Sequence, residues 1–287
     1  MNEKRKVKKK QISEVWRRLK RNRAAIMGGI IVLLFVSMAI LAPWIAPYPP
    51  NEGDLGKRLK PPSREHLLGT DPLGRDLLSR VIYGARISLQ IQIISVAIAL
   101  VIGTVLGMIG GYYGGKIDNL IMRLIDILLA FPGIFLAISI IAVLGPGLMN
   151  LMLAAGIYSI PQFARIVRGS VVSLKEKEFI EAARAVGEKD RDILLRYLLP
   201  NSLAPIIVQT TLRMATVLLT ASGLSFLGLG VQPPTPEWGA MLSNARAYLI
   251  TAPHVATVPG LAIMLVVLGF NLFGDGLRDS LDPRLRD

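Results

Sequence analysis

The 38 residues Ile127–Ala164, ILLAFPGIFLAISIIAVLGPGLMNLMLAAGIYSIPQFA, contain no charged side chain. A helix crosses the roughly 30 Å hydrocarbon core of a bilayer with about 20 apolar residues, so this run is long enough for two crossings. Gly145-Pro146-Gly147 divides it, because proline and glycine together stop a helix and favour a turn. Two such segments back to back describe a chain that runs to and fro across a membrane.

Further uncharged runs lie on both sides. Their spacing predicts six spans, near 24–46, 87–111, 119–143, 148–168, 203–224 and 254–274, and therefore an all-α polytopic membrane protein. The mean hydropathy of +0.50 lies above that of a soluble domain and supports this reading. No cysteine is present, so disulfides, thiol chemistry and thiolate metal sites are excluded.

The net charge of +13 would suggest a nucleic-acid partner in a soluble chain, but no base-reading motif accompanies it. Its distribution points to the bilayer instead. With the N-terminus cytoplasmic, 24 Lys/Arg fall inside, in 1–23, around Lys116, in 165–200 and in the tail; eight fall outside, in 47–86 and at Arg246. This is the positive-inside bias, and it predicts both termini in the cytoplasm of a multi-pass inner- or plasma-membrane protein. The basic arm NEKRKVKKK is expected to lie against anionic lipid. The apolar run that follows exceeds a signal h-region and lacks a small-x-small cleavage site, so it reads as an uncleaved anchor.

The chain divides into a basic cytoplasmic arm (1–23), a first span (24–46), an extracytoplasmic segment (47–86), a five-helix core (87–276) and a cytoplasmic tail (277–287). The core carries a cytoplasmic loop, 170–200, and an outer loop, 231–253. The proline-rich 47–86 segment is too short for a core of its own. In the outer loop Trp238, Met241, Leu242, Ala245 and Tyr248 share one helical face, which predicts a short helix lying on the outer membrane surface. Gly103 and Gly107 form a G-x-x-x-G spacing, and Pro132, Pro161, Pro205 and Pro259 fall within or at the ends of spans. Close helix packing accounts for these residues; a bundle that rocks around a pathway is the sharper alternative.

Several motifs carry less than they first suggest. Gly110-x-x-x-x-Gly115-Lys116 lacks the Ser/Thr and the preceding strand of a phosphate-binding loop, leaving the chain without a nucleotide site of its own. His66, Asp71 and Asp76 in HLLGTDPLGRD read as turn and helix-cap chemistry rather than a metal site. Asp126 and Arg213 lie within spans, where charge faces a bundle interior or a wet cavity. Asp126 has a second reading, a pair with Arg123. Asp126 and Asp275 could also be the two aspartates of an intramembrane aspartyl protease, though capping beside Arg278 explains Asp275.

The stretch EFIEAARAVGEKDRDILLRYLLP, Glu178–Pro200, is densely charged in an otherwise apolar chain. Phe179, Ile180, Ala182, Ala183 and Val186 form an apolar stripe, Gly187 ends that helix, and Asp190 is placed to cap a second one that Pro200 ends. A small, apolar stripe ringed by charge suits a docking surface.

These residues resemble the EAA loop of ABC-importer permeases: Glu181-Ala182-Ala183, then Gly187, then Leu199-Pro200, with Tyr197 where the general pattern has Ile. HLLGTDPLGRDLLSRVIYGARISL (66–89), LSFLGLGVQPPTPEWGAML (224–242) and FNLFGDGLRDSLDPRLR (270–286) resemble the dipeptide, oligopeptide and nickel branch. Within it they are most similar to the second permease, the one with a basic arm and an extra first helix. The resemblance implies that Glu181, Ala182, Ala183, Gly187, Leu199 and Pro200 couple the chain to an ATPase. It also implies a heterodimeric pore with a paralogous permease, two cytoplasmic ATPase subunits that hold ATP and Mg, and an extracytoplasmic binding protein. The cargo would be a di- or oligopeptide moved by alternating access, with nickel or an oligosaccharide as alternatives. This chain itself would hold no cofactor and catalyse no reaction.

Overall fold

The computed structural model describes residues 15–281. Most of the basic arm and the last residues of the tail lie outside that range. The helices are α1 (Arg23–Ile45), α2 (Leu77–Tyr113), α3 (Gly115–Ala130), α4 (Gly133–Leu144), α5 (Leu148–Lys175), α6 (Glu178–Ala185), α7 (Asp190–Phe226), α8 (Trp238–Ala245) and α9 (His254–Leu281). Four of them, α1, α2, α7 and α9, are long and apolar enough to cross a membrane; α3 and α4 together make a fifth candidate, bent by 91°. The bend falls at Phe131-Pro132: a residue before proline is pushed out of helical geometry, and Phe131 is extended at φ −89°, ψ 133°. The aromatic ring of Tyr158 fills the space over Gly133, where a Cβ would lie 1.9 Å from it.

The sixth expected span, α5, has the length of a span but falls short of the others in apolarity. Its place in the bundle accounts for this, because α2 covers much of its surface. Gly103, Gly107 and Gly111 of α2 lie so close that a Cβ on them would meet the Ile160, Ala164 and Arg168 carbonyl oxygens at 2.8, 2.5 and 3.0 Å. Small residues thus serve helix-to-helix contact here, as the G-x-x-x-G spacing implies. Elsewhere α9 packs on α1 and α7. The outward faces of α1, α2 and α9 are apolar, with Leu33 66%, Val101 62% and Met264 54% exposed, as lipid contact requires.

Three local expectations are revised. The helix expected from residue 87 begins at Leu77, because Arg75 and Arg80, which flank its start, are paired and buried rather than exposed. The Asp71 carboxylate accepts from Arg75 Nε at 2.7 Å and lies 3.3 Å from Arg80 Nε, while Arg80 donates to the Pro50 carbonyl at 2.7 Å. Asp76 caps α2 by accepting from the Ser79 amide at 2.7 Å, and its other oxygen bonds His66 Nδ1 at 2.9 Å. His66, Asp71 and Asp76 therefore do turn and cap work.

The second revision concerns α8, which does not lie on the membrane surface. Trp238, Gly239, Ala240 and Met241 are buried, and Trp238 is wholly enclosed. Its indole donates to the Val81 carbonyl at 3.0 Å and meets the Phe35 ring edge-on at 5.6 Å. An amphipathic stripe needs apolar cover, and here the mouth of the bundle supplies it.

The third revision is at Pro200, which does not end a helix. The preceding turn, Ile193–Leu198, widens to a π-helix in which the Leu199 amide bonds the Leu194 carbonyl, and α7 runs on through Pro200 and Pro205. A wider turn is one way a helix accommodates a break in its ladder.

Candidate functional site: a polar wall and a helical hairpin

Two features stand apart from ordinary packing. The first is on α5. Tyr158, Gln162 and Arg165, at i, i+4 and i+7, share one helical face, and none of them is buried. Arg165 pairs with Asp126 of α3 at 2.6 Å, and both side chains remain more than half exposed. Three residues further along α5, Arg168 forms a two-pronged pair with Asp118 of α3 at 2.6 and 2.5 Å. On the other side, the guanidinium of Arg213 in α7 lies beside the Tyr158 hydroxyl.

Asp126 and Arg213 are thus joined to one polar wall across α3, α5 and α7. Charges cost several kcal/mol in lipid, so a wall of this kind at membrane depth faces water or protein. Of the two readings of Asp126, the Arg123 pair gives way to Arg165. The sequence reading missed Arg165 because it counted that residue, at the end of the expected 148–168 span, among the cytoplasmic charges of 165–200. The polar i, i+4, i+7 row on an otherwise apolar helix was the signal that could have found it. The same pairing gives Asp126 a cation as its neighbour, which is not how an acid-sharing aspartate pair is built.

The second feature is the hairpin formed by α6 and the start of α7. After Ala185 the chain turns through Gly187 at φ +77°, in the left-handed region open to glycine. The Gly187 amide bonds the Arg184 carbonyl at 3.0 Å and the Glu188 amide bonds the Ala183 carbonyl at 3.0 Å. This pattern is the Schellman motif that closes helices at glycine.

The apolar stripe of α6 splits in two. Ile180 and Ala183 are buried against Val167, Val171, Ile193 and Leu198, and so anchor the hairpin to α5 and α7. Phe179 (42% exposed), Ala182 and Val186 (79% exposed) point away. The adjacent alanines therefore do different things: Ala183 lets the hairpin close, and Ala182 keeps the outer face low. Glu181 is exposed, Leu199 half-buried and Pro200 exposed. Asp190 caps nothing; its carboxylate accepts from the Tyr112 hydroxyl at 2.7 Å, and Arg184 stacks over the same ring at 5.2 Å. The stretch from Gly110 to Lys116 runs from the last turn of α2 into the first of α3, helix on both sides, unlike a phosphate-binding loop.

At the far end of the bundle, α8 is held by a buried carboxylate. Glu237 accepts from the Gly239 and Ala240 amides at 2.9 and 2.8 Å. Burial pushes its pKa above the usual carboxylate range, and the backbone amides pull the other way.

A bundle with lipid-compatible outer faces, one polar wall at membrane depth and an anchored hairpin at one end defines a translocation subunit of a membrane transporter. Comparison with known proteins agrees. Residues 103–287 match the family model described as the binding-protein-dependent transport system inner membrane component, and residues 10–62 match that of the N-terminal transmembrane domain of oligopeptide transport permease C. The chain belongs to the binding-protein-dependent transport system inner membrane component family, in its dipeptide and oligopeptide branch.

It is 54% identical over 274 residues to the glutathione transport system permease protein GsiD of Shigella flexneri serotype 5b (strain 8401), covering 95% of this chain and 90% of the relative. It is 52% identical over 274 residues to the protein of the same name in Escherichia coli O6:K15:H31, with the same coverage. Among solved structures, the inward-facing MetNI methionine ABC transporter is similar with a TM-score of 0.57 at 19% identity, covering 70% of this chain and 96% of that one. A crystal structure of an amino acid ABC transporter with histidines gives 0.53 at 14%, covering 69% and 92%. Both likenesses concern the fold. The chain is a multi-pass inner-membrane protein and a non-catalytic permease subunit of an ABC importer, which works with an ATPase and a binding protein.

Proposed function

We propose that this chain is one half of a heterodimeric pore for a short peptide, with a paralogous permease as the other half. Its α6–α7 hairpin seats on one of two cytoplasmic ATPase subunits. The observation that carries this reading is the double-faced α6: one apolar face locks it to the bundle, while Phe179, Ala182 and Val186 stand free and apolar at the end of a rigid helix. Apolar side chains held out from a fixed base suit a partner that supplies a groove.

ATP and Mg belong to the ATPases, and ATP-driven closure of these subunits pushes α7 and moves the polar wall by alternating access. Glu181, Gly187, Leu199 and Pro200 shape the hairpin and its junction. The positive-inside bias supports placing the hairpin and both termini in the cytoplasm, with 46–76 and α8 outside facing the binding protein. The relatives named for glutathione transport support a small peptide as cargo over nickel or an oligosaccharide.

Replacing Ala182 with Trp enlarges only the free face. In the assembled importer, reconstituted in liposomes, it should lower glutathione uptake and substrate-stimulated ATP hydrolysis together, while the subunit still inserts and purifies with its partners. Unchanged coupling in that variant would remove the docking role. Uptake of nickel with no uptake of glutathione would overturn the cargo assignment.

A further inference from the structure

We infer that Arg213, with the Tyr158 hydroxyl beside it, is a transit contact for the C-terminal carboxylate of the peptide as it crosses the membrane. The inference rests on the peptide reading above and adds to it a place and a chemistry. Arg213 lies 13 residues from the Phe226 end of α7, about 20 Å along the helix at 1.5 Å per residue, well inside the bilayer. It is half-buried, and among the described residues none of the ion pairs includes it.

The other membrane-depth cation of the wall, Arg165, is already matched by Asp126 at 2.6 Å, and Arg168 by Asp118. Of the three arginines Arg165, Arg168 and Arg213, only Arg213 has no carboxylate partner among the described residues. Arginine presents a fixed fork of donors suited to a carboxylate, and a hydroxyl alongside adds a further donor.

The position of Tyr158 is fixed. Its ring packs over Gly133 at the α3–α4 bend, and its hydroxyl lies within reach of Arg213. One helical turn along α5, the buried side-chain oxygen of Gln162 has no partner. Once the wall opens, that atom can accept a hydrogen bond from a peptide amide, which places acceptor and cation on the same wall. A zwitterionic peptide carries both the carboxylate for Arg213 and amide donors for Gln162.

The test uses the complete importer in liposomes with its binding protein and ATPases. It compares uptake of glutathione with uptake of the same tripeptide amidated at its glycine carboxyl, each at a concentration that saturates the binding protein. Wild-type importer should move the acid on the order of tenfold or more faster than the amide, as a charge-assisted contact implies. Arg213→Gln should slow the acid and bring the ratio near one, and Arg213→Lys should keep part of the preference. Tyr158→Phe should lower the ratio a few-fold.

A wild-type importer indifferent to amidation overturns the inference. So does an Arg213→Gln variant that slows acid and amide equally, since that marks a structural role or a pair with the second permease. Failure of the wild type to take up either probe is a different result, because it removes the peptide reading on which the inference stands.

Discussion

Gly187 separates two accounts of the hairpin. If the glycine is needed for its backbone, side-chain size is unimportant and tolerance of positive φ decides. If it is needed for clearance against a partner, size decides. Within this chain nothing lies within 4 Å of a Cβ built at Gly187, so a substitution there meets no clash of its own. The cost is then that of holding an L-residue in the left-handed region at φ +77°, roughly 1–2 kcal/mol for most side chains and less for Asn. A loss of that size raises the opening of the Schellman turn about 5- to 30-fold.

The assay is hydrogen exchange of the backbone amides at positions 187 and 188, which bond the Arg184 and Ala183 carbonyls, in the assembled importer, alongside uptake in liposomes. Exchange should speed up in the order Gly187→Asn, Gly187→Ala, Gly187→Val, and uptake should fall in the same order. Asn is bulkier than Ala, so the clearance account gives the opposite ranking for that pair. Exchange that is as fast in Gly187→Asn as in Gly187→Val would refute the backbone account.

Three further outcomes follow from other sites. Trp238→Ala should destabilise the purified complex by about 3–5 kcal/mol, as loss of a fully enclosed large aromatic does, and Trp238→Phe by about 1 kcal/mol for the lost bond to the Val81 carbonyl; thermal unfolding in detergent reads both. Gly107→Ala should cost about 1–3 kcal/mol, because its Cβ would lie 2.5 Å from the Ala164 carbonyl, whereas Gly169→Ala, with open space around it, should not lower stability; equal melting temperatures for the two would contradict the close-packed interface. Glu237 has a folded pKa above its unfolded one, so the native state holds the extra proton between the two values. Its contribution to stability is greatest below the unfolded pKa, about 4.3, and declines as pH rises toward the folded value. Glu237→Gln should flatten the melting temperature across that window, and a pH dependence identical to wild type would count against a buried carboxylate there.

The helical membrane architecture was legible because lipid imposes one demand on every span, and a run such as Ile87–Gly115 announces it without any knowledge of neighbours. What escaped the sequence depends on who the neighbours are. Arg75 and Arg80 marked residues 77–86 as exposed, yet Asp71 and the Pro50 carbonyl absorb their charge and let α2 start ten residues early. The α8 stripe fits a lipid surface and a protein cleft equally well, and only the position of Val81 and Phe35 decides. Adjacent alanines at 182 and 183 look interchangeable in sequence, whereas a helix turns them about 100° apart, one into the core and one outward. Of the site, Asp126, Arg213 and the 178–200 hairpin could be picked out as unusual residues. Arg165 stood out only through the polar row it shares with Tyr158 and Gln162, and its pairing with Asp126, 39 positions away on another helix, could not be read.

The unbroken course of α7 sets a mechanical scale. Its 37 residues make a rod of about 55 Å, of which about 25 Å extends beyond a 30 Å hydrocarbon core. A sideways push of ~4 Å at the end of a 25 Å arm swings a stiff rod through ~10°, so a displacement the size of one side chain at the hairpin becomes a reorientation of the whole span. The π turn at Ile193–Leu198 and Pro205 are the breaks in that rod's hydrogen-bond ladder, and both lie between the hairpin and Arg213. Any give in the linkage is therefore taken up before the motion reaches Arg213, which limits how small a stroke the pore can register.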